Sequence, residues 1–282
     1  MDMAKIIAII NDKGGVSKTT TTMNLGTALW LLGYKVLLVD SDKQCNLTVT
    51  MDKTSYAPDV TTLYDWMLDE KLAPPVYERY PGLDYIPSAV RIDELNTWLA
   101  DKVARENYLS KRLELVRHAY DYVLIDCAPG CTSIINKNAI AASDGVIIPV
   151  RADLYSVQGK DAVINIIQAI NEGMGKHIEM MGYLLTQFEK TRMGMEVRDF
   201  FQGQAAPVFP VPIRKCAKCN EAPKDQMSLY EFAADSTAAD DYMRLAEYLT
   251  NHMPRRKTWV PREWGQRSAS AHEEFLKNQS MS

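Results

Sequence analysis

The sequence predicts a doubly wound α/β fold, a mainly parallel sheet flanked by helices on both faces, and three observations carry that expectation. Apolar runs of strand length alternate with helix-length stretches along most of the chain. The first run, Ile6-Ile7-Ala8-Ile9-Ile10, leads into a glycine-containing loop and then a helix-like segment. Two later runs end in carboxylates: Val36-Leu37-Leu38-Val39 before Asp40 and Asp42, and Tyr122-Val123-Leu124-Ile125 before Asp126. Continuous apolar runs mark buried parallel strands, because helices cover both faces of such a sheet. Ligands then meet the carboxyl ends of the strands, where these acids stand.

The loop after the first strand is Lys13-Gly14-Gly15-Val16-Ser17-Lys18-Thr19-Thr20. Adjacent glycines let backbone N–H groups turn inward around phosphate oxygens, Lys18 reaches the β- and γ-phosphates, and Thr19 ligates Mg²⁺. The expected ligand is a nucleoside triphosphate. The general pattern G-x-x-x-x-G-K-[ST] is not met, since Asp12 and Ser17 occupy its glycine places; the variant K-G-G-x-x-K-[ST] is met, with Lys13 as an additional lysine. A left-handed backbone at Ser17 would cost about 1–2 kcal/mol.

Residues 19–32 read as a helix closed near Gly33, a glycine where helices commonly end. Residues 55–82 hold Pro58, Pro74, Pro75 and Pro81 and read as a loop-rich excursion with one short helix at 62–69. Residues 93–118 read as helix, as do 157–173, 194–202 and 236–252; Gly145-Val146-Ile147-Ile148-Pro149-Val150 and Gly182-Tyr183-Leu184-Leu185-Thr186-Gln187 read as two more strands.

The three motifs, in this order, resemble the deviant phosphate-loop ATPases that include ParA, Soj and MinD, and most nearly the ParA/Soj partition ATPases, over about residues 3–252. The resemblance implies a P-loop NTPase fold of the deviant Walker A type, with ATP and Mg²⁺ as ligands. It implies catalytic roles for Lys13, Lys18 and Asp42: Lys13 reaches the nucleotide of the facing subunit, and Asp42 orients the attacking water. Thr19, Asp40 and Asp126 would make up the magnesium shell. The family pattern D-x-D-P-Q-x-N keeps Asp40, Asp42, Gln44 and Asn46 here but has Lys43 in place of proline, and Ala128 and Gly130 depart from D-C-P-P-S.

The same resemblance implies slow, partner-stimulated ATP hydrolysis, an ATP-bridged homodimer, non-specific DNA binding and a ParB-like or other adaptor, serving to partition a plasmid, a chromosome region or other cargo. Candidate DNA contacts are Lys190, Arg192, Arg214, Lys215 and Lys218, the last three in a segment that looks like the family's P-R-N-V-R-L-S-E-A-P. A MinD-like positioning ATPase acting on a membrane or protein matrix is one alternative, and an ATP-dependent synthetase of the same superfamily is another.

Composition fits one large α/β domain at 1–253 and a basic, aromatic, proline-containing tail at 254–282, where six Lys/Arg stand against three Asp/Glu in a chain of net charge −4. With 46% hydrophobic residues the 282-residue chain can build a core. No apolar run approaches the ~20 residues that span a bilayer, and no signal peptide is evident, so a cytoplasmic protein associated with nucleoid DNA and not with a membrane is expected. Net acidity does not oppose DNA binding, which depends on a local patch and on salt. Five cysteines, an odd number, suggest reduced thiols. Cys216-Ala217-Lys218-Cys219 is a C-x-x-C without a second such pair, read as free thiols rather than a metal site.

Overall fold

The computed structural model describes residues 3–51, 60–153, 160–204 and 206–251. The expected tail lies outside them. A seven-stranded sheet runs β3-β4-β2-β5-β1-β6-β7, with β1 at Lys5–Ile9, β2 at Val36–Ser41, β3 at Tyr77–Tyr80, β4 at Leu83–Ile86, β5 at Tyr122–Cys127, β6 at Gly145–Arg151 and β7 at Glu179–Thr186. Every neighbouring pair is parallel except β3 with β4. The expected doubly wound α/β fold is therefore the fold observed.

Register sets up the chemistry. Asp40 on β2 is the direct partner of Asp126 on β5, and Ile9 on β1 is the partner of Asp126 on the other side. Both acids thus stand beside the start of the loop that follows β1.

Alternation along the strands divides the core in two. Ile6, Ala8, Leu37, Val39, Val123 and Ile125 face one layer; Ile7, Ile9, Val36, Leu38 and Leu124 face the other. The first layer is covered by α3 (Leu63–Leu68), α4 (Glu94–Ala100), α5 (Tyr108–Leu113), α6 (Ile134–Ala142), α7 (Lys160–Met174) and α8 (Arg192–Gln202). The second is covered by α1 (Lys18–Leu31), α2 (Asn46–Met51), α10 (Leu229–Phe232) and α11 (Thr237–Leu249), and the short α9 (Lys218–Glu221) lies at its edge. Close packing of α1 on the sheet needs Gly26, where an added Cβ would come within 2.5 Å of Leu38 Cδ2. Among the described residues no helix is long and apolar enough to cross a membrane.

Two stretches depart from the sequence-based expectation. Residues 55–82 were expected to be loop with one helix; α3 is there, but Tyr77–Tyr80 pairs antiparallel with Leu83–Ile86 around Pro81 and Gly82. The prolines that suggested loop sit before the hairpin and in its turn, and Gly82 supplies the φ of 90° that the turn requires. Residues 93–118 form α4 and α5 separated by one 3₁₀ turn (Arg105–Asn107) rather than one helix, the break falling at Ala104, which takes a left-handed conformation (φ 51°). That break lets Leu95, Leu99, Leu109 and Leu113 all reach the core. α6, outside the expected elements, starts at Ser133, whose side chain accepts from the Asn136 N–H at 3.2 Å.

Candidate functional site

The loop from β1 to α1 is built for an anion. Neither Gly14 nor Gly15 has any neighbouring atom within 4 Å of where a Cβ would stand, so nothing of the chain itself fills that space. Gly15 has φ 71°. Ser17 adopts the left-handed conformation (φ 68°, ψ 32°) immediately before α1, a strain of about 1–2 kcal/mol. The end of β7 offsets it: Thr186 Oγ1 donates to the Val16 carbonyl at 3.2 Å, and Gln187 Nε2 donates to Ser17 Oγ at 3.3 Å. Asp12 ties the other side, its carbonyl accepting from Gly130 N–H at 2.9 Å and its Oδ1 from Cys131 N–H at 3.1 Å. Gly14 to Thr20 thereby stand at the N-terminus of a 14-residue helix, whose unpaired N–H groups and dipole favour negative charge.

Lys18 is buried, and its ammonium donates to the Lys13 carbonyl across the loop at 2.9 Å. Burial lowers its pKa, opposed by the carboxylates of Asp126, Asp42 and Asp12 and by the Cys127 thiol. Lys13 itself is half-buried, held through its backbone N–H by Asn11 Oδ1.

The acids divide their work. Asp40 accepts from the Asp42 N–H at 3.0 Å on one oxygen, and from the Thr48 N–H at 2.9 Å and the Thr48 hydroxyl at 2.7 Å on the other. Through these bonds Asp40 anchors the loop that carries Asp42, alongside the part in a magnesium shell expected of it. Burial lifts its pKa to about 6, against those hydrogen bonds. Asp42 Oδ1 accepts from the Gln44 N–H at 3.0 Å. Asp126 Oδ1 accepts from Thr22 at 3.4 Å, while its Oδ2 is buried with no hydrogen-bond partner. Burial, then the charge of Asp40, pushes the Asp126 carboxyl well above its usual range, against the nearby Thr19 hydroxyl and the charge of Lys18. A buried carboxylate oxygen left unpaired costs several kcal/mol in principle, and beside the Thr19 hydroxyl it suits a hard divalent cation that takes few protein ligands and keeps its waters.

The loop and Asp42 line a cavity of about 520 Å³, whose wall includes Gly14, Gly15, Ser17, Lys18, Thr19, Thr20, Asp42 and Gln44. Its far side is assembled from Met23, Asn24, Cys219, Asn220, Pro223, Met227 and Leu229. Sequence reasoning missed that side, having read residues 214–223 as a DNA segment. Asn24 joins it to α1, its Oδ1 accepting from Leu229 N–H at 2.8 Å. A phosphate-binding end and a more apolar end fit a nucleoside triphosphate. The remaining helper residues, Thr22, Thr48, Thr186 and Asp12, carry no local motif and are found only through their partners.

The basic candidates fare unequally. Phe188 bridges to Arg214, and the Lys215 N–H donates to the Phe188 carbonyl at 3.0 Å, so the segments holding Lys190, Arg192 and Lys215 meet at the carboxyl end of β7. Lys190 is exposed, Arg192 is nearly fully exposed and pairs with Glu196 at 2.9 Å, and Lys215 pairs with Glu189 at 3.0 Å. Lys218 pairs with Glu221 at 2.7 Å and lies 5.5 Å over the Phe232 ring. Arg214 is otherwise employed: its guanidinium clamps Asp241 at 2.7–3.0 Å and reaches Asp240 and the Thr237 carbonyl at 3.1 Å. Arg214 thus bolts this segment to α11, with 44% of its side chain still exposed.

Loop, carboxylates and strand order together define a phosphate-loop α/β protein. A family model described as AAA domain matches residues 4–180. The sporulation initiation inhibitor protein Soj of Bacillus subtilis is 32% identical over 252 residues, spanning 87% of this chain and 98% of that protein. The chromosome partitioning protein ParA of Caulobacter vibrioides is 30% identical over 253 residues, spanning 86% and 92%. Among solved structures, cobyrinic acid a,c-diamide synthase from Mycobacterium smegmatis with bound ADP and magnesium is similar at 25% identity and a TM-score of 0.77, over 92% of this chain and all of that one. The chain belongs to the ParA/Soj family of deviant phosphate-loop ATPases.

Proposed function

We propose that this chain is a nucleotide-gated switch that binds ATP with Mg²⁺, hydrolyses it slowly, and in the ATP state forms a dimer that holds non-specific DNA. The observation that supports it most is the convergence of the Gly14–Gly15 cradle, Lys18, Thr19 and Asp42 on one cavity, with the unpartnered Asp126 Oδ2 buried on the strand beside the loop, in a chain of this family. Phosphoryl transfer asks the protein mainly to position groups and to neutralise charge. Backbone N–H groups of residues 14–20 hold the phosphates, and Lys18 leaves the Lys13 carbonyl for them. Thr19 and Asp126 would hold Mg²⁺, which supplies charge neutralisation between the phosphates. Asp42, fixed by Gln44 and by Asp40 beneath it, orients the attacking water. Lys13 crosses to the partner subunit.

The switch resides in residues 1–253, with the basic tail 254–282 as an accessory. Lys190, Arg192, Lys215 and Lys218 contribute to a DNA face, and a ParB-like or other adaptor stimulates turnover, partitioning a plasmid, chromosome region or other cargo on nucleoid DNA in the cytoplasm. Binding to non-specific duplex DNA at fixed salt, with ATP, ADP or no nucleotide, tests the reading, with Asp42→Ala as the trapped form. Binding in the ATP state alone is the expected result. Dimerisation without DNA binding in any state would overturn the DNA role and favour a membrane or protein matrix. ATP consumption that depends on an added acid substrate, with no dimer, would favour the synthetase reading.

A further inference from the structure

Cys216 and Cys219 occupy an unusual place for a C-x-x-C pair. Cys219 lies in the first turn of α9 and lines the cavity together with Asn220 and Leu229, while Cys216 stands one turn earlier, outside that lining. The Cys219 N–H donates to the Cys216 carbonyl at 3.2 Å, closing a turn between the two residues. Both are free and partly accessible, whereas Cys45, Cys127 and Cys131 are buried. Lys215 and Lys218 flank the pair, and the Lys218 ammonium is close enough to Cys216 to feel its charge.

We infer that Cys216 and Cys219 form a reversible intrachain disulfide that remodels the α9 wall of the cavity and weakens nucleotide binding, so that the switch is also sensitive to oxidation. The inference rests on the nucleotide reading of the cavity. The oxidant is a low-molecular-weight disulfide such as oxidised glutathione, an anion suited to the flanking lysines. Cys216 attacks it as thiolate, forming a mixed disulfide and releasing one thiol. The Cys219 thiol then gives up its proton and attacks the Cys216 sulfur, closing the bridge and releasing the second thiol. Electrons balance, since one small disulfide is reduced to two thiols as two protein thiols become one disulfide. Burial and the neighbouring Cys216 push the Cys219 thiol up to about 12, which makes Cys216 the attacking group and Cys219 the resolving one.

Coupling to the cavity follows from geometry. Residues three apart on a helical turn have Cβ atoms ~5–6 Å apart, and a disulfide requires ~3.8 Å. Closing the bridge therefore draws in the turn that presents Cys219, Asn220 and Pro223 to the ligand.

The test uses the full chain and a fluorescent ATP analogue, first reduced, then equilibrated with oxidised glutathione, then treated with dithiothreitol. Expected are tryptic peptides 216–218 and 219–224 joined in one species, lighter by two hydrogens than the two added together, an affinity reduced about tenfold, and full recovery on reduction. Cys216→Ser should bind the analogue as the reduced wild type does and keep that affinity in oxidant. A pair that stays reduced, a glutathione adduct that never resolves, or a bridge with unchanged affinity overturns the inference. Reduced protein that fails to bind the analogue would instead overturn the nucleotide reading, with bridge formation still decided by mass.

Discussion

At the residue scale, the electrostatic tension of the site is concentrated on Asp126. Its pKa is raised by burial and by Asp40, and one oxygen has no partner. For an acid with a raised folded pKa, the folded state binds more protons than the unfolded one, so its contribution to stability is complete below the ordinary value near 4 and is lost as pH rises. Asp40, lifted to about 6, acts the same way between about pH 4 and 6. Asp126→Asn is therefore expected to stabilise the metal-free protein at pH 7.5 by about 1–2 kcal/mol, the usual gain from relieving a functional site. Thermal melts in chelator and in Mg²⁺ check it: the wild type should gain from Mg²⁺ and the variant should not, and a variant that melts lower in chelator would refute the account. Asp42→Ala should lower hydrolysis by about 10²–10³-fold with nucleotide affinity within about threefold of wild type. Single-turnover kinetics would show it, and unchanged hydrolysis would remove Asp42 from its role.

Elements impose their own tests. Gly26 lies inside α1, where alanine ordinarily adds up to about 1 kcal/mol of helix propensity. Here its Cβ would meet Leu38 at 2.5 Å and Leu124 at 3.4 Å, both fully buried, and overpacking costs about 1–3 kcal/mol. Gly26→Ala should therefore destabilise, and a raised denaturation midpoint would contradict the packing. The junction of β7 with residues 213–215 gathers lysines from two distant parts of the chain. Replacing Lys215 and Lys218 together by glutamate should weaken DNA binding at every sequence and flatten the slope of log affinity against log salt by about 2. An unchanged slope would move the patch elsewhere.

For the whole molecule, the gating proposed above requires two subunits. Lys13 is half-buried, and its carbonyl already holds Lys18 in the isolated chain. Lys13→Ala keeps that carbonyl and removes only the ammonium, so nucleotide affinity should change by less than about fivefold while ATP-dependent dimerisation drops by about tenfold or more, the range of one lost charge-assisted contact. Sedimentation with a non-hydrolysed ATP analogue measures it. Dimerisation equal to wild type would place the inter-subunit contact on another group.

The sequence by itself determined the sheet class, the phosphate loop and the two carboxylate-ended strands, because continuous apolar runs and adjacent glycines act through local backbone physics that any fold must respect. It also raised Ser17 as a strained position, and the left-handed backbone there is what the structure has. Tertiary structure alone decided the rest. The β3–β4 hairpin, the break at Ala104 and the α9 wall depend on which distant surfaces need covering, and no short window encodes that. The duties of Asp40 and Arg214 were set by neighbours 8 and 27 residues away, Thr48 and Asp241. A side chain's chemistry is written in the sequence, but whether its charge is free or already spent is decided by what packs against it.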